Sequence, residues 1–127
     1  MNPAKKPKSD RIYLQHILEC TALIRDYTSG GKDEFMRNVL HQDGVMRRLQ
    51  TMAESTQRLS NEAKTKAPSA KTKAPSVDWR VIAGFRNLLV HDYMNGIDLN
   101  QIWNIIESYL PELETEAQAL LKPIEIE

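Results

Sequence analysis

Residues 79–93 read WRVIAGFRNLLVHDY, and this stretch indicates the type of fold. Its apolar residues recur at spacings of three and four, which predicts one buried face of an α-helix. That face consists of Val81, Ile82, Phe85, Leu88 and Leu89. No alternating strand pattern of useful length appears here or elsewhere in the chain. The sequence therefore predicts an all-α protein.

Polar side chains of the same helix lie on its flanks. At 100° per residue, Arg86 and Tyr93 lie at about 140° and 120° from Val81, whereas His91 lies at about 280°. Arg86 and His91 therefore do not converge within one straight helix. Either the helix ends before His91, or two copies of the helix pack across a two-fold axis and pool their polar residues in one cleft.

The segments before this helix predict three more. Apolar residues at helical spacing indicate a first helix that begins at a Ser9 or Asp10 cap and reaches about Thr28, where Gly30 and Gly31 stop it. A short helix over about residues 34–40, with Asp33 as its cap, and a third helix from near Asp43 complete this half of the chain.

The segments after it predict one long helix. The helix of residues 79–93 is expected to begin near Asp78 and to be followed by a turn at Asn95-Gly96. Asp98 and Gln101 fit a capping box for the last helix, which Pro111 should kink or break. The whole is an antiparallel bundle of four main helices and one short helix within residues 9–122. Residues 1–8 are expected to form a disordered basic arm, and residues 123–127 a tail.

Residues 63–76 contain an exact duplication, because AKTKAPS at 63–69 is repeated at 70–76. Its two prolines interrupt any helix, and two copies of seven residues are too few for a solenoid. We interpret the segment as a loop inserted between helices. Its four lysines fit a solvated tether, and contact with RNA phosphates is the alternative.

Composition excludes several classes of protein. The 127 residues carry 17 basic and 17 acidic side chains, so zero net charge argues against a general polyanion binder. A single cysteine, Cys20, excludes an internal disulfide and a cysteine-based zinc site, and is expected in the core. The longest apolar run, residues 81–85, is far too short to span a bilayer. Since no apolar segment follows the basic start, we expect a soluble cytoplasmic protein.

One motif is more specific than these patterns. The string Arg86-Asn87-x3-His91-x-Tyr93 resembles the signature of the HEPN superfamily, and is most similar to its HepT-like toxin branch. The string Val45-x-Arg47-x-Leu49-x4-Glu54 resembles the second-helix pattern of the family, with Ala53 where glycine is usual. Trp79 and the segment Ile97-x4-Ile102-Trp103-x-Ile105-Ile106 extend the resemblance to about residues 10–121. The duplicated segment departs from the pattern.

The resemblance implies a homodimeric, metal-independent endoribonuclease that needs no cofactor and acts as the toxin of a type VII-like toxin–antitoxin system. RNA cleavage without a metal uses the 2′-hydroxyl as nucleophile and leaves a 2′,3′-cyclic phosphate. The catalytic set would be Arg86, Asn87 and His91. His91 has a side chain whose ordinary pKa suits proton transfer near pH 7. Arg86 can hold a phosphate with two N–H groups, and Asn87 can bind phosphate or orient the imidazole.

The resemblance also implies a partner. HepT-like toxins are usually encoded beside a minimal nucleotidyltransferase antitoxin, which in part of the family transfers AMP to the tyrosine of the His-x-Tyr motif. Tyr93 would be that acceptor, and its alternative role is a packed tyrosine at a helix end. A non-catalytic helical dimer that binds a nucleotidyltransferase is the alternative function. His16 and His41 lie outside the motif, and we expect both to be structural or exposed.

Overall fold

The computed structural model describes residues 7–65, 77–91 and 96–126, and side chains within 9–65, 77–89 and 96–124. These residues form seven α-helices and no strand, so the predicted all-α class is confirmed. The helices are α1 (Pro7–Tyr27), α2 (Gly31–Arg37), α3 (Val39–Arg58), α4 (Asn61–Thr65), α5 (Trp79–His91), α6 (Leu99–Ser108) and α7 (Leu110–Ile126).

The third helix organises the bundle. α3 packs against α1 on one side and against α5 on the other, while α7 packs against α1 and α6. Their apolar faces form one continuous core, and its fully buried leucines and isoleucines include Leu14, Ile17, Ile24, Leu49, Leu59, Ile82, Ile102 and Leu113. No helix of the described ranges is both long and apolar enough to cross a membrane.

Helix boundaries in the first half differ from the sequence prediction. α1 begins at Pro7, ahead of the expected Ser9 or Asp10 cap. α3 begins at Val39, four residues before Asp43, because the side chain of Asn38 accepts a hydrogen bond from the backbone N–H of His41. This cap also explains why α2 ends at Arg37 and does not reach residue 40.

The predicted long last helix is two helices. Asp98 caps α6 as expected, accepting from the backbone N–H of Asn100. α6 ends at Ser108 and α7 begins at Leu110, so Pro111 lies in the first turn of α7, where a missing N–H costs no hydrogen bond. The expected break at this proline is confirmed.

The segment around the duplication contains a helix that the sequence did not predict. α4 includes the first three residues of the first AKTKAPS copy, residues 63–65. The rest of the duplicated segment, residues 66–76, lies outside the described residues, as do residues 1–6 of the expected arm.

Asp10 is a buried structural residue and not a helix cap. It is 6% exposed, and its carboxylate accepts hydrogen bonds from the backbone N–H and the hydroxyl of Ser60, at 2.9 and 2.6 Å. Ser60 Oγ in turn accepts from the backbone N–H of Ala63, which caps α4. Asp10 thereby joins the start of α1 to the corner between α3 and α4.

We expect Asp10→Ala to lower the free energy of unfolding by about 1–3 kcal/mol, because it leaves buried donors of Ser60 without their acceptor. Urea denaturation measures this change. Asp26→Ala, on the exposed side of α1, is the matched control and should change stability by no more than about 0.5 kcal/mol. Equal losses in both variants would mean that the bonds to Ser60 contribute nothing to stability.

Candidate functional site

Helix α5 holds the predicted site residues on a rigid support. The carboxylate of Asp78 accepts from the backbone N–H groups of Arg80 and Val81 and so fixes the start of the helix. Among the side chains of α5 that the structure describes, residues 79–89, three are buried in the core, namely Ile82, Phe85 and Leu89. Because α5 packs against α3, its position is set by the core and not by a loop.

Arg86 and Asn87 are adjacent on α5, and both are exposed. α5 extends through His91, so the arrangement in which the helix ends before His91 does not occur. The side chain of His91 and the whole of Tyr93 lie outside the described residues. Within the described part of the chain, the amide of Asn87 makes no hydrogen bond to another residue. Its donor and acceptor are exposed to solvent, about 100° around the helix axis from Arg86.

Arg86 has an acidic neighbour that the sequence analysis did not select. Its Nε lies 3.4 Å from Oε1 of Glu54 on α3, and the two side chains are 47% and 41% exposed. Glu54 belongs to the second-helix pattern quoted above, which marked it as part of the resemblance but not as a neighbour of Arg86. Only the packing of α3 against α5 brings the two residues together.

A groove of about 510 Å³ lies on the other flank of α5, between this helix and α6. Phe85 and Tyr109 meet edge to face beside it, with ring centroids 5.6 Å apart. Gly84 faces open space in this groove, because a Cβ added to it would lie more than 4 Å from every atom outside its own stretch of helix. The groove is lined by Val81, Gly84, Phe85, Leu88, Gln101, Asn104, Ile105, Ser108 and Tyr109. Arg86 thus lies on the side of α5 that faces α3, and the open groove lies on the side that faces α6.

A second polar cluster lies between α1 and α3. A hydrogen bond of 2.6 Å joins His16 Nδ1 to Ser55 Oγ, and Cys20 Sγ lies 3.5 Å from His16 Nε2 and 3.6 Å from Thr51 Oγ1. Cys20 is fully buried, which confirms the expectation of a core residue. Burial raises the pKa of its thiol. This cluster joins two helices and does not present a nucleophile.

His41 is also structural. Its Nδ1 lies 3.0 Å from Oε1 of Glu34, and its ring stacks on Tyr27 at a centroid distance of 6.5 Å. The hydrogen bond with His41 is the main cause that lowers the pKa of the Glu34 carboxyl group, and the hydrogen bond from Asn38 is the next largest. Of the two expected roles, structural or exposed, the contacts of His16 and His41 fit the structural one. Among the described side chains, no three histidine, cysteine or acidic residues gather closely enough to hold a metal ion.

Comparison with known proteins shows which family this chain resembles. A model described as "Ribonuclease HepT-like" matches residues 17–120. A protein of Caldanaerobacter subterraneus subsp. tengcongensis, named as a candidate RNase, is 32% identical over 116 residues, which are 91% of this chain and 96% of that protein. A protein of Methanocaldococcus jannaschii, also named as a candidate RNase, is 32% identical over 121 residues, covering 94% of this chain and 93% of that protein.

A longer relative contains a further region. A Methanocaldococcus jannaschii protein, named as a gamma-glutamylcyclotransferase and candidate RNase, is 29% identical over 119 residues. These are 93% of this chain but 50% of that protein, so the chain spans about half of its length. No solved structure matches the chain significantly. Because the family model covers residues 17–120, most of the helical bundle, the chain belongs to the HepT-like ribonuclease family.

Proposed function

We propose that this chain is the ribonuclease toxin of a type VII-like toxin–antitoxin system, and that it cleaves RNA without a metal ion. The single observation that carries the proposal is the pair of exposed residues on α5: Arg86 and Asn87 stand side by side on a helix that ends at His91. The family supports ribonuclease activity in general. The mechanism, the product and the partner are parts of the proposal.

The proposed reaction divides its tasks among the three residues. His91 accepts the proton of the 2′-hydroxyl, whose oxygen attacks the adjacent phosphorus. The bond from phosphorus to the 5′-oxygen breaks, which leaves a 2′,3′-cyclic phosphate, and the departing 5′-oxygen takes up a proton from water to become a 5′-hydroxyl. Arg86 stabilises the charge that develops on the phosphoryl oxygens, and Asn87 donates a hydrogen bond to the same group or orients the imidazole.

A homodimer is part of this proposal. α5 is one continuous helix through His91, and ideal helical geometry separates residues 86 and 91 by about 140° around its axis. One copy of the helix therefore does not direct both residues at one phosphate. Two copies related by a two-fold axis bring Arg86 and Asn87 of one chain beside residue 91 of the other.

Light scattering at micromolar concentration should accordingly give twice the mass of the chain. The physical reason is that a site assembled from two copies is complete only in the dimer. A stable monomer that still cleaves RNA would contradict the composite site.

We expect His91→Ala to reduce the rate of RNA cleavage by about 10²–10⁴-fold with the fold intact, because the proton acceptor is lost. Arg86→Lys should also be slow, since a point charge does not replace two parallel N–H donors. Arg80→Lys on the same helix is the matched control, because Arg80 is almost fully exposed and should leave the rate unchanged. Cleavage is followed on gels with a labelled RNA in the presence of EDTA.

Two outcomes of this assay would contradict the proposal. Full activity on an RNA with 2′-deoxyribose at the cut site would exclude the 2′-hydroxyl as nucleophile. Absence of cleavage, together with binding of a co-expressed nucleotidyltransferase, would favour the non-catalytic dimer instead. Growth arrest on expression of the wild type, lost in His91→Ala, tests the role as a toxin.

The proposed partner is a minimal nucleotidyltransferase antitoxin that adds AMP to Tyr93. The added phosphate would bring negative charge two residues from His91 and repel the RNA backbone. The chain is co-expressed with a nucleotidyltransferase encoded by the neighbouring gene. Intact-protein mass spectrometry should then show a mass increase of one or more AMP groups on the wild type and none on Tyr93→Phe. Tyr93→Phe should remain toxic in its presence. An unmodified but neutralised wild type would mean that the partner acts by covering the site.

A further inference from the structure

We propose that Glu54 is a positioning residue of the RNA-cleavage site, which holds the guanidinium of Arg86 so that its terminal nitrogens face the phosphate. This inference rests on the proposed ribonuclease function and adds to it a residue of α3. The contact that carries it is the 3.4 Å approach between Arg86 Nε and Glu54 Oε1.

The geometry of a guanidinium explains why this contact is useful. The group offers two edges to an anion, one formed by Nε and a terminal nitrogen and the other by the two terminal nitrogens. Glu54 approaches at Nε, a nitrogen of the side edge, and the 3.4 Å distance is longer than that of an ordinary N–H···O hydrogen bond. The end-on edge is therefore open for the two oxygens of a phosphate.

A second arginine of the same chain shows the contrast. Arg25 donates to Glu114 through both Nε and Nη2, at 3.2 and 2.6 Å, so its side edge is fully used by one carboxylate. That pair joins α1 to α7 as a closed fork. The pair of Arg86 and Glu54 is looser, which fits an arginine that is oriented but still able to bind a second anion.

Glu54 is well placed to orient a flexible side chain, because its own backbone is fixed. Its neighbours Ala53 and Ser55 are buried, and Ser55 is tied to α1 through His16. On α5, Phe85 next to Arg86 is buried as well. The core thus holds the backbone of α3 at Glu54 and that of α5 at Arg86, whereas the long arginine side chain can adopt many rotamers. The carboxylate of Glu54 removes part of that freedom before RNA binds.

Stability is a weak explanation for the pair. Both side chains are about half exposed, and ion pairs of this kind contribute little to folding. A carboxylate beside the phosphate-binding arginine also opposes the binding of a polyanion. A positioning role therefore predicts a distinctive signature: loss of Glu54 slows the chemical step without weakening the binding of RNA.

The test compares Glu54→Gln with wild type in the cleavage assay. Glu54→Gln should lower kcat about 10- to 100-fold, as expected when a charge-stabilising group is misplaced, while KM stays the same or falls. Glu54→Asp, which keeps the charge, should recover part of kcat. The dissociation constant for an RNA with 2′-deoxyribose at the cut site should not rise. Glu114→Gln, in the pair with Arg25, is the control and should leave kcat unchanged.

A double variant tests whether Glu54 acts through Arg86. Since the proposed effect passes through the guanidinium, Glu54→Gln combined with Arg86→Lys should be no slower than Arg86→Lys alone. Multiplied effects of the two changes would overturn the proposal. A normal kcat in Glu54→Gln would also overturn the proposal. So would a kcat/KM of Glu54→Gln above that of wild type, because the carboxylate would then only compete with phosphate for Arg86.

The same data separate this inference from the proposed function. If wild type cleaves RNA and His91→Ala does not, a normal Glu54→Gln overturns only the role of Glu54. If wild type fails to cleave RNA, both proposals fail. Thermal melting of every variant shows whether a lost rate reflects a lost fold, and a kcat loss in a variant that melts like wild type supports positioning.

Discussion

The packing of α3 between α1 and α5 is the interaction on which the rest of the structure depends. Its buried face includes Leu49, Met52 and the fully enclosed Ala53, whose small side chain suits a crowded position between helices. The same helix carries Ser55 towards α1 and Glu54 towards α5. Consecutive residues of one helix thus connect the core, a partly buried hydrogen bond and the ion pair with Arg86.

Sequence reasoning predicted α5 well because every local signal agreed. The apolar face, the flank position of Arg86 and a start near Asp78 were all predicted, and the structure has the helix beginning at Trp79 with Ile82, Phe85 and Leu89 buried. Local reasoning was wrong at Asp10, a residue type that commonly caps helices but here bonds to Ser60, fifty positions away. It also missed the start of α3, because a cap at Asn38 outweighed the signal at Asp43.

Glu54 shows the limit of reasoning from a single sequence. The residue was visible as part of a family pattern, yet its contact with Arg86 depends on how α3 and α5 cross and on their relative rotation. Neither quantity follows from the apolar spacing of either helix alone. The periodicity of one helix predicts which of its residues lie away from the core. Which of those residues contact each other at the candidate site depends on how the helices pack.

The enclosure of Cys20 has a practical consequence. The one thiol of the chain is fully buried among His16 and Thr51, so reagents that modify cysteine do not reach it in the folded protein. A cysteine introduced on an exposed position, such as Asn104 beside the groove, would then be the only reactive thiol. Fluorescent or spin labels would attach there selectively, without first removing the native cysteine.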